Sequence, residues 1–153
     1  MLTDNKNFLS PLGFQLIIDG PEFANVNFFC ISANLPSISL PEAAANYKKW
    51  GQAFPGDRIQ FDPLNVQFKV DENCQNYLEI WNWIKNSVGR AAPQFRDVTL
   101  HVLSSKNNLL KKIRYYSAFP TSLDGIEFNV QESDIEYVTC ACSLRYTNFE
   151  FIT

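Results

Sequence analysis

Few residues in this 153-residue chain are equipped for chemistry: one histidine, four cysteines and two groupings of acids. His101 titrates in the range of a general base. It falls in an alternating segment on the same side as Thr99, and no serine or cysteine stands near it in a recognisable nucleophile setting. A surface histidine is the expectation. Cys30, Cys74, Cys140 and Cys142 lack the paired spacing of a zinc site, and one histidine adds little to any ligand set. Cys140 and Cys142 stand two apart in a strand pattern and share a face with Val138 and Leu144, which reads as small hydrophobes in a core. Paired acids suit general acid–base work. Here Asp71 and Glu72 open a helical pattern, where negative charge complements the dipole, and Glu132, Asp134 and Glu136 surround a connection. The six glycines are scattered, with no phosphate-cradling loop among them. These residues predict no catalytic, cofactor-binding or metal-ligating site, and a protein that is not an enzyme.

The elements that would position a site follow from hydrophobic period. Leu64, Val66, Phe68 and Val70 alternate with Asn65, Gln67 and Lys69, a strand with one buried face and one face toward water or a partner. The period then lengthens. Tyr77, Leu78, Ile80, Trp81, Ile84 and Val88 form the apolar stripe of a helix, with Asp71 or Asn73 as its N-cap. Residues 13–19 put Phe14, Leu16 and Ile18 on one side, and residues 26–32, rich in aromatic and branched side chains, read as a second strand. Residues 97–103 and 110–119 read as a strand pair around Asn107-Asn108; Lys111, Lys112 and Arg114 on the second make a solvated edge.

Residues 135–151 read as one long strand, with Val138, Cys140, Cys142, Leu144 and Tyr146 on one face. The other face, Tyr137, Thr139, Ala141, Ser143 and Arg145, is polar without strong charge and suits a channel wall. A strand well beyond the usual length of about five or six residues is expected to lie partly in an assembly. Residues 42–57, EAAANYKKWGQAFPGD, show little apolar periodicity, and long connections of this kind tend to be functional. Tyr47 and Trp50 are typical interface anchors. The fold class expected is mainly β (α+β), an antiparallel β-sandwich or barrel with one packed α-helix, as a single domain over 1–153.

Two regions carry a resemblance. Asp62-Pro63-Leu64 runs into a helix bearing Tyr77 and Trp83, and Ala118-Phe119-Pro120-Thr121-Ser122, with Gly125 following, precedes the closing strand pattern. In this order and spacing the chain resembles the tail tube family of contractile-tailed bacteriophages, including the member that joins baseplate to tube. The resemblance implies an extended hairpin arm at 42–57 that reaches an adjacent subunit, with Tyr47, Lys48, Lys49, Trp50 and Phe54 contacting the next ring, together with residues 1–8 and 148–153. It implies hexameric rings stacked into a tube, a sheath outside, and baseplate or terminator proteins at the ends. Double-stranded DNA would pass through the lumen without specific binding, in a virion tail assembled in the host bacterial cytoplasm. Thr139 and Ser143 are the first lumen-facing candidates. The short single domain favours the tube shaft over a baseplate-proximal initiator ring. From a different class, the alternative is a monomeric binding module using the aromatic 42–57 segment.

Charge agrees with a passive channel. The formal net charge of −3 argues against a domain whose affinity comes from neutralising phosphates. No run approaches the roughly 18 apolar residues of a membrane span, so no membrane partner is expected.

Overall fold

Alternating apolar residues build most of the computed structural model, which describes residues 7–47, 50–89, 94–131 and 137–152. In chain order the elements are β1 (Phe14–Ile18), a 3-10 turn (Pro21–Phe23), α1 (Ala24–Phe29), β2 (Cys30–Ala33), β3 (Ile38–Ser39), β4 (Glu42–Tyr47), β5 (Trp50–Pro55) and β6 (Gln60–Phe61). Then come β7 (Leu64–Lys69), α2 (Gln75–Ser87), β8 (Arg96–Leu103), β9 (Leu109–Leu123), β10 (Thr139–Arg145) and β11 (Asn148–Ile152). Seven strands pair in the order β1-β8-β9-β10-β7-β2, with β11 also on β9. The small sheets β3–β6 and β4–β5 are separate from it.

The long strand is β9, with 15 residues. Its first part pairs β8 and β11, and from Phe119 onward it pairs β10. Between these stretches Val98 opposes Tyr115 and Arg96 opposes Ala118, so three steps on β9 match two on β8. Ser117, in this bulge, has φ 54°. A bulge bends its strand, which lets β9 pass from the β1-β8-β11 layer into the β10-β7-β2 layer. Asp97 holds the bend, accepting the Ser117 N–H at 3.1 Å and the Arg114 Nη2 at 2.9 Å.

The expected single strand over 135–151 is therefore corrected to two. Residues 132–136, Ile135 included, lie outside the described residues. β10 ends at Arg145, and the Thr147 N–H donates to the Tyr116 carbonyl at 2.9 Å, turning the chain onto the other stretch of β9. Cys140, Cys142 and Leu144 are buried against Leu64, Val66 and Phe68 as their alternation predicts.

The second predicted strand, 26–32, is also corrected: its first part is α1, so the described residues hold two α-helices. A six-residue helix cannot stand on propensity. Glu79 on α2 supplies what it lacks, with Oε1 accepting from Asn25 Nδ2 at 2.7 Å and Oε2 from the Val26 N–H at 3.0 Å. With the Asn25 N–H also donating to Oε1 at 3.3 Å, the carboxylate accepts from two backbone donors, those of Asn25 and Val26, that the first turn leaves free. Glu79→Ala is expected to lower unfolding free energy by about 1.5–3 kcal/mol, the range for hydrogen bonds to a charged group, with Glu79→Gln intermediate. Urea denaturation reads this, and an unmoved midpoint for the alanine variant would show that α1 is held by packing alone.

On α2 the buried positions are Asn76, Ile80 and Trp83, while Leu78 and Trp81 are exposed. The stripe is rotated from the expected one because a polar residue takes a core place. Asn76 earns burial through bonds: its Nδ2 donates to the Lys69 carbonyl at 2.5 Å and its N–H to Asp71 Oδ1 at 3.2 Å. The cap position itself is Cys74, left-handed at φ 55° with no side-chain cap bond; Asp71 makes the capping contact from outside, and Asn73 does not.

Candidate functional site

β7 and β10 pair so that Lys69 faces Thr139, Gln67 faces Ala141 and Asn65 faces Ser143. Directly opposed residues share a face, so the polar sides of the two strands merge. Ser32 of β2 extends the face beside Gln67, and Ser122 of β9 extends it beside Ser143. Ser143 Oγ donates to Asn65 Oδ1 at 2.8 Å. The two cations at its ends are engaged locally: Lys69 Nζ sits 5.5 Å from the centroid of the Tyr137 ring, and Arg145 Nη1 donates to the Phe61 carbonyl at 3.1 Å. The face is thus a sheet of hydroxyls and amides whose cations, Lys69 and Arg145, stand only at its ends. Thr139 is exposed and Ser143 half-buried on it. Sequence reasoning named those two but missed Ser32 and Ser122, whose place depends on strand order.

The 42–57 segment is a hairpin of its own. β4 pairs β5 with Ala43 opposite Phe54, Ala45 opposite Gln52 and Tyr47 opposite Trp50. The register therefore collects the three aromatic positions, 47, 50 and 54, on one face, and leaves Ala44, Ala53, Asn46 and Gly51 for the other. Trp50 is 81% exposed and Phe54 44%. Lys48 and Lys49 lie outside the described residues. At the hairpin base Gly56 donates to the Pro41 carbonyl at 2.6 Å, and an added Cβ would stand 2.5 Å from that oxygen, so only glycine closes it. Below the base, Ser37 Oγ donates to Asp62 and the Asp62 N–H returns to the Ser37 carbonyl at 3.1 Å. Asp62-Pro63-Leu64 is the point where the hairpin joins the sheet.

The residues screened for chemistry are dispersed. His101 on β8 has Gln15 and Lys112 as cross-strand neighbours, neither of them a nucleophile or an orienting carboxylate. Partial burial, then the nearby Lys112 charge, lower its pKa. Arg114 leaves the basic cluster to pair with Asp97 and Asp19. Glu132, Asp134 and Glu136 lie outside the described residues, and among the described residues no three His, Cys, Asp or Glu converge as a metal site. Of the proposed terminal contacts, residues 1–6 and 153 are outside the described set, Phe8 is fully exposed, and 148–152 are paired into the sheet as β11.

Burial, then the nearby Cys140 and Cys30, push the Cys142 thiol up to about 12 from 9.0. A raised thiol pKa favours the folded state below the unfolded value and loses that contribution as pH climbs from about 9 toward 12. Iodoacetamide on the native protein at pH 8 is expected to alkylate half-buried Cys74 and spare Cys142. Peptide mass mapping reads this; early labelling of Cys142 would contradict its burial.

No known family model matches the chain. Two relatives do: the tail tube terminator protein of Enterobacteria phage T4 is 26% identical over 152 aligned positions, covering 89% of this chain and 85% of the relative. The tail tube protein of Serratia phage KSP90 is 28% identical over 148, covering 87% and 82%. The chain is a homologue of phage tail tube proteins. Among solved structures, a chain from the sheath/tube terminator of the extracellular contractile injection system PVC, in its extended state, superposes with a TM-score of 0.73. At 18% identity it covers 97% of this tail tube homologue and 100% of its own length. That likeness confirms the mostly β, antiparallel class read from alternation; the difference is the second helix.

Proposed function

We propose that this tail tube homologue forms closed, hexameric rings in the tube of a contractile tail, a structural and non-enzymatic role in the virion, assembled in the host bacterium. The observation that carries the reading is the merged polar face of β2, β7 and β10, on the same chain as an exposed aromatic hairpin. Each phosphate contact by Lys or Arg adds retention. A wall of Asn65, Gln67, Thr139 and Ser143 lets double-stranded DNA slide, because none of these side chains carries a charge and the face has cations only at its ends, Lys69 and Arg145. The hairpin is the arm that reaches an adjacent subunit, placed in this reading within the same ring rather than on the next ring as the resemblance implied, and sheath and baseplate-side proteins complete the partner set.

Within the tube, the place we assign is the terminal ring, where the sequence had favoured the shaft. Support comes from the terminator relative and the terminator assembly. Negative-stain electron microscopy with mass determination over a concentration series tests both levels. Single rings of fixed height are expected. Tubes that lengthen with concentration would move the protein to the shaft, and a strictly monomeric species at the highest concentration would overturn the ring.

A further inference from the structure

Where β7 ends, α2 begins and the chain approaches β10, a groove of about 650 Å³ opens. Its size falls within the about 300–1,000 Å³ of small-molecule sites. Aromatic residues from three separate segments line it, half-buried Phe29 and exposed Phe128 and Tyr137, and Val70, Ile126 and Val138 add aliphatic surface. Asp71 and Glu72 line it too, and neither carries an ion pair among the described residues. Aromatic faces attract cations through the ring quadrupole. Unpaired carboxylates beside them add attraction of the same sign.

A cation already sits on one of these faces. Lys69 Nζ stands 5.5 Å from the centroid of the Tyr137 ring, inside the about 6 Å over which a ring holds an ammonium. Asp71 is two residues further along the chain, yet Lys69 makes no ion pair with it; the ring holds the charge. Lys69 is therefore a tethered example of what the groove accepts: an ammonium on an alkyl stem. It leaves the groove open beside it and both carboxylates unpaired.

We infer that the groove binds an alkylammonium ion, its cationic head taken by the Tyr137 ring and the Asp71 and Glu72 carboxylates, and its chain laid along Val70, Ile126 and Val138. The ligand competes with Lys69 for the ring. Its source is a soluble amine, because a phospholipid ammonium arrives with a phosphate that the same two carboxylates repel. This site stands apart from ring formation and needs no second copy of the chain.

The probe is decyltrimethylammonium, added to the full chain below its micelle-forming concentration, with circular dichroism confirming a native fold. In an amide NMR titration, shifts should concentrate at residues 69–74, 126–128 and 137–138. Shifts centred elsewhere, or none at all, overturn the site. Decyl sulfate, with the same chain and the opposite charge, should bind about tenfold more weakly; equal binding would reveal a merely apolar groove and overturn the inference. The variants carry opposite signs. Tyr137→Ala should weaken binding about threefold, the size of an exposed cation–π contact, and Glu72→Gln about twofold at low salt. Lys69→Met removes the resident ammonium while keeping most of the stem, and should tighten binding about threefold. A Lys69→Met protein that binds more weakly than wild type, or a Tyr137→Ala protein that binds equally well, would overturn the shared place on the ring. Vesicles of phosphatidylethanolamine should leave the protein in the supernatant, and co-sedimentation would overturn the soluble source.

Discussion

Replacing Trp83 with alanine is expected to remove about 3–5 kcal/mol of unfolding free energy, the range for large aromatic-to-alanine changes in a core. Trp83 is 2% exposed, and its ring lies 4.9 Å from that of Phe23, centroid to centroid. Its Nε1 donates to the Gln94 carbonyl at 2.7 Å, tying α2 to the approach to β8. Alanine would leave a cavity under the 3-10 turn and orphan that carbonyl. Since a whole domain is stable by only about 5–15 kcal/mol, the variant should unfold near physiological temperature. Trp83→Phe keeps most of the packing and loses the hydrogen bond, so a cost nearer 1–2 kcal/mol is expected. Chemical denaturation measures both. A loss under 1 kcal/mol for alanine would mean that α2 does not seal the core where the structure puts it.

That residue also shows how far the chain could be read without coordinates. β7 and α2 were legible because their periods are clean, yet the count that found the stripe skipped Trp83. It assumed that core positions are apolar, and Asn76 breaks that assumption by bonding the Lys69 carbonyl. α1 was not legible at all. Its Asn-Val-Asn-Phe-Phe composition favours strand, and the group that makes it helical, Glu79, stands 53 residues away from Val26. The break between β10 and β11 was hidden for a similar reason. Alternation runs on through Tyr146, while the bend that forces the separation sits in β9 at Ser117, a serine in a conformation usually left to glycine, asparagine or aspartate.

The polar face was half legible. Thr139 and Ser143 follow from alternation alone, but their neighbours Asn65 and Gln67 join them only through the β7–β10 register. The hairpin's aromatic face was missed because parity changes across its tip: position 47 is odd, positions 50 and 54 are even, and the pairing of Tyr47 with Trp50 brings them to one side. No period computed along the chain sees this.

Replacing residues 45–53 with a Gly-Ser turn should abolish rings while leaving the fold intact. Among the described side chains no buried core residue comes from β4 or β5, so the thermal midpoint should shift by no more than a surface change does, about 0.5 kcal/mol in free-energy terms. Assembly should fail completely, because the replacement deletes Trp50, and aromatic anchors of this kind dominate binding energy. Sedimentation velocity and electron microscopy on the folded variant decide it. Rings indistinguishable from wild type would leave the sheet edges as the assembly contacts and the hairpin without a role in closure. A folded monomer would place the driving force of assembly in an element that contributes nothing to folding the subunit. That separation has a physical consequence: folding and assembly could then be tuned independently, the first through Trp83 and Glu79, the second through the aromatic face of the hairpin.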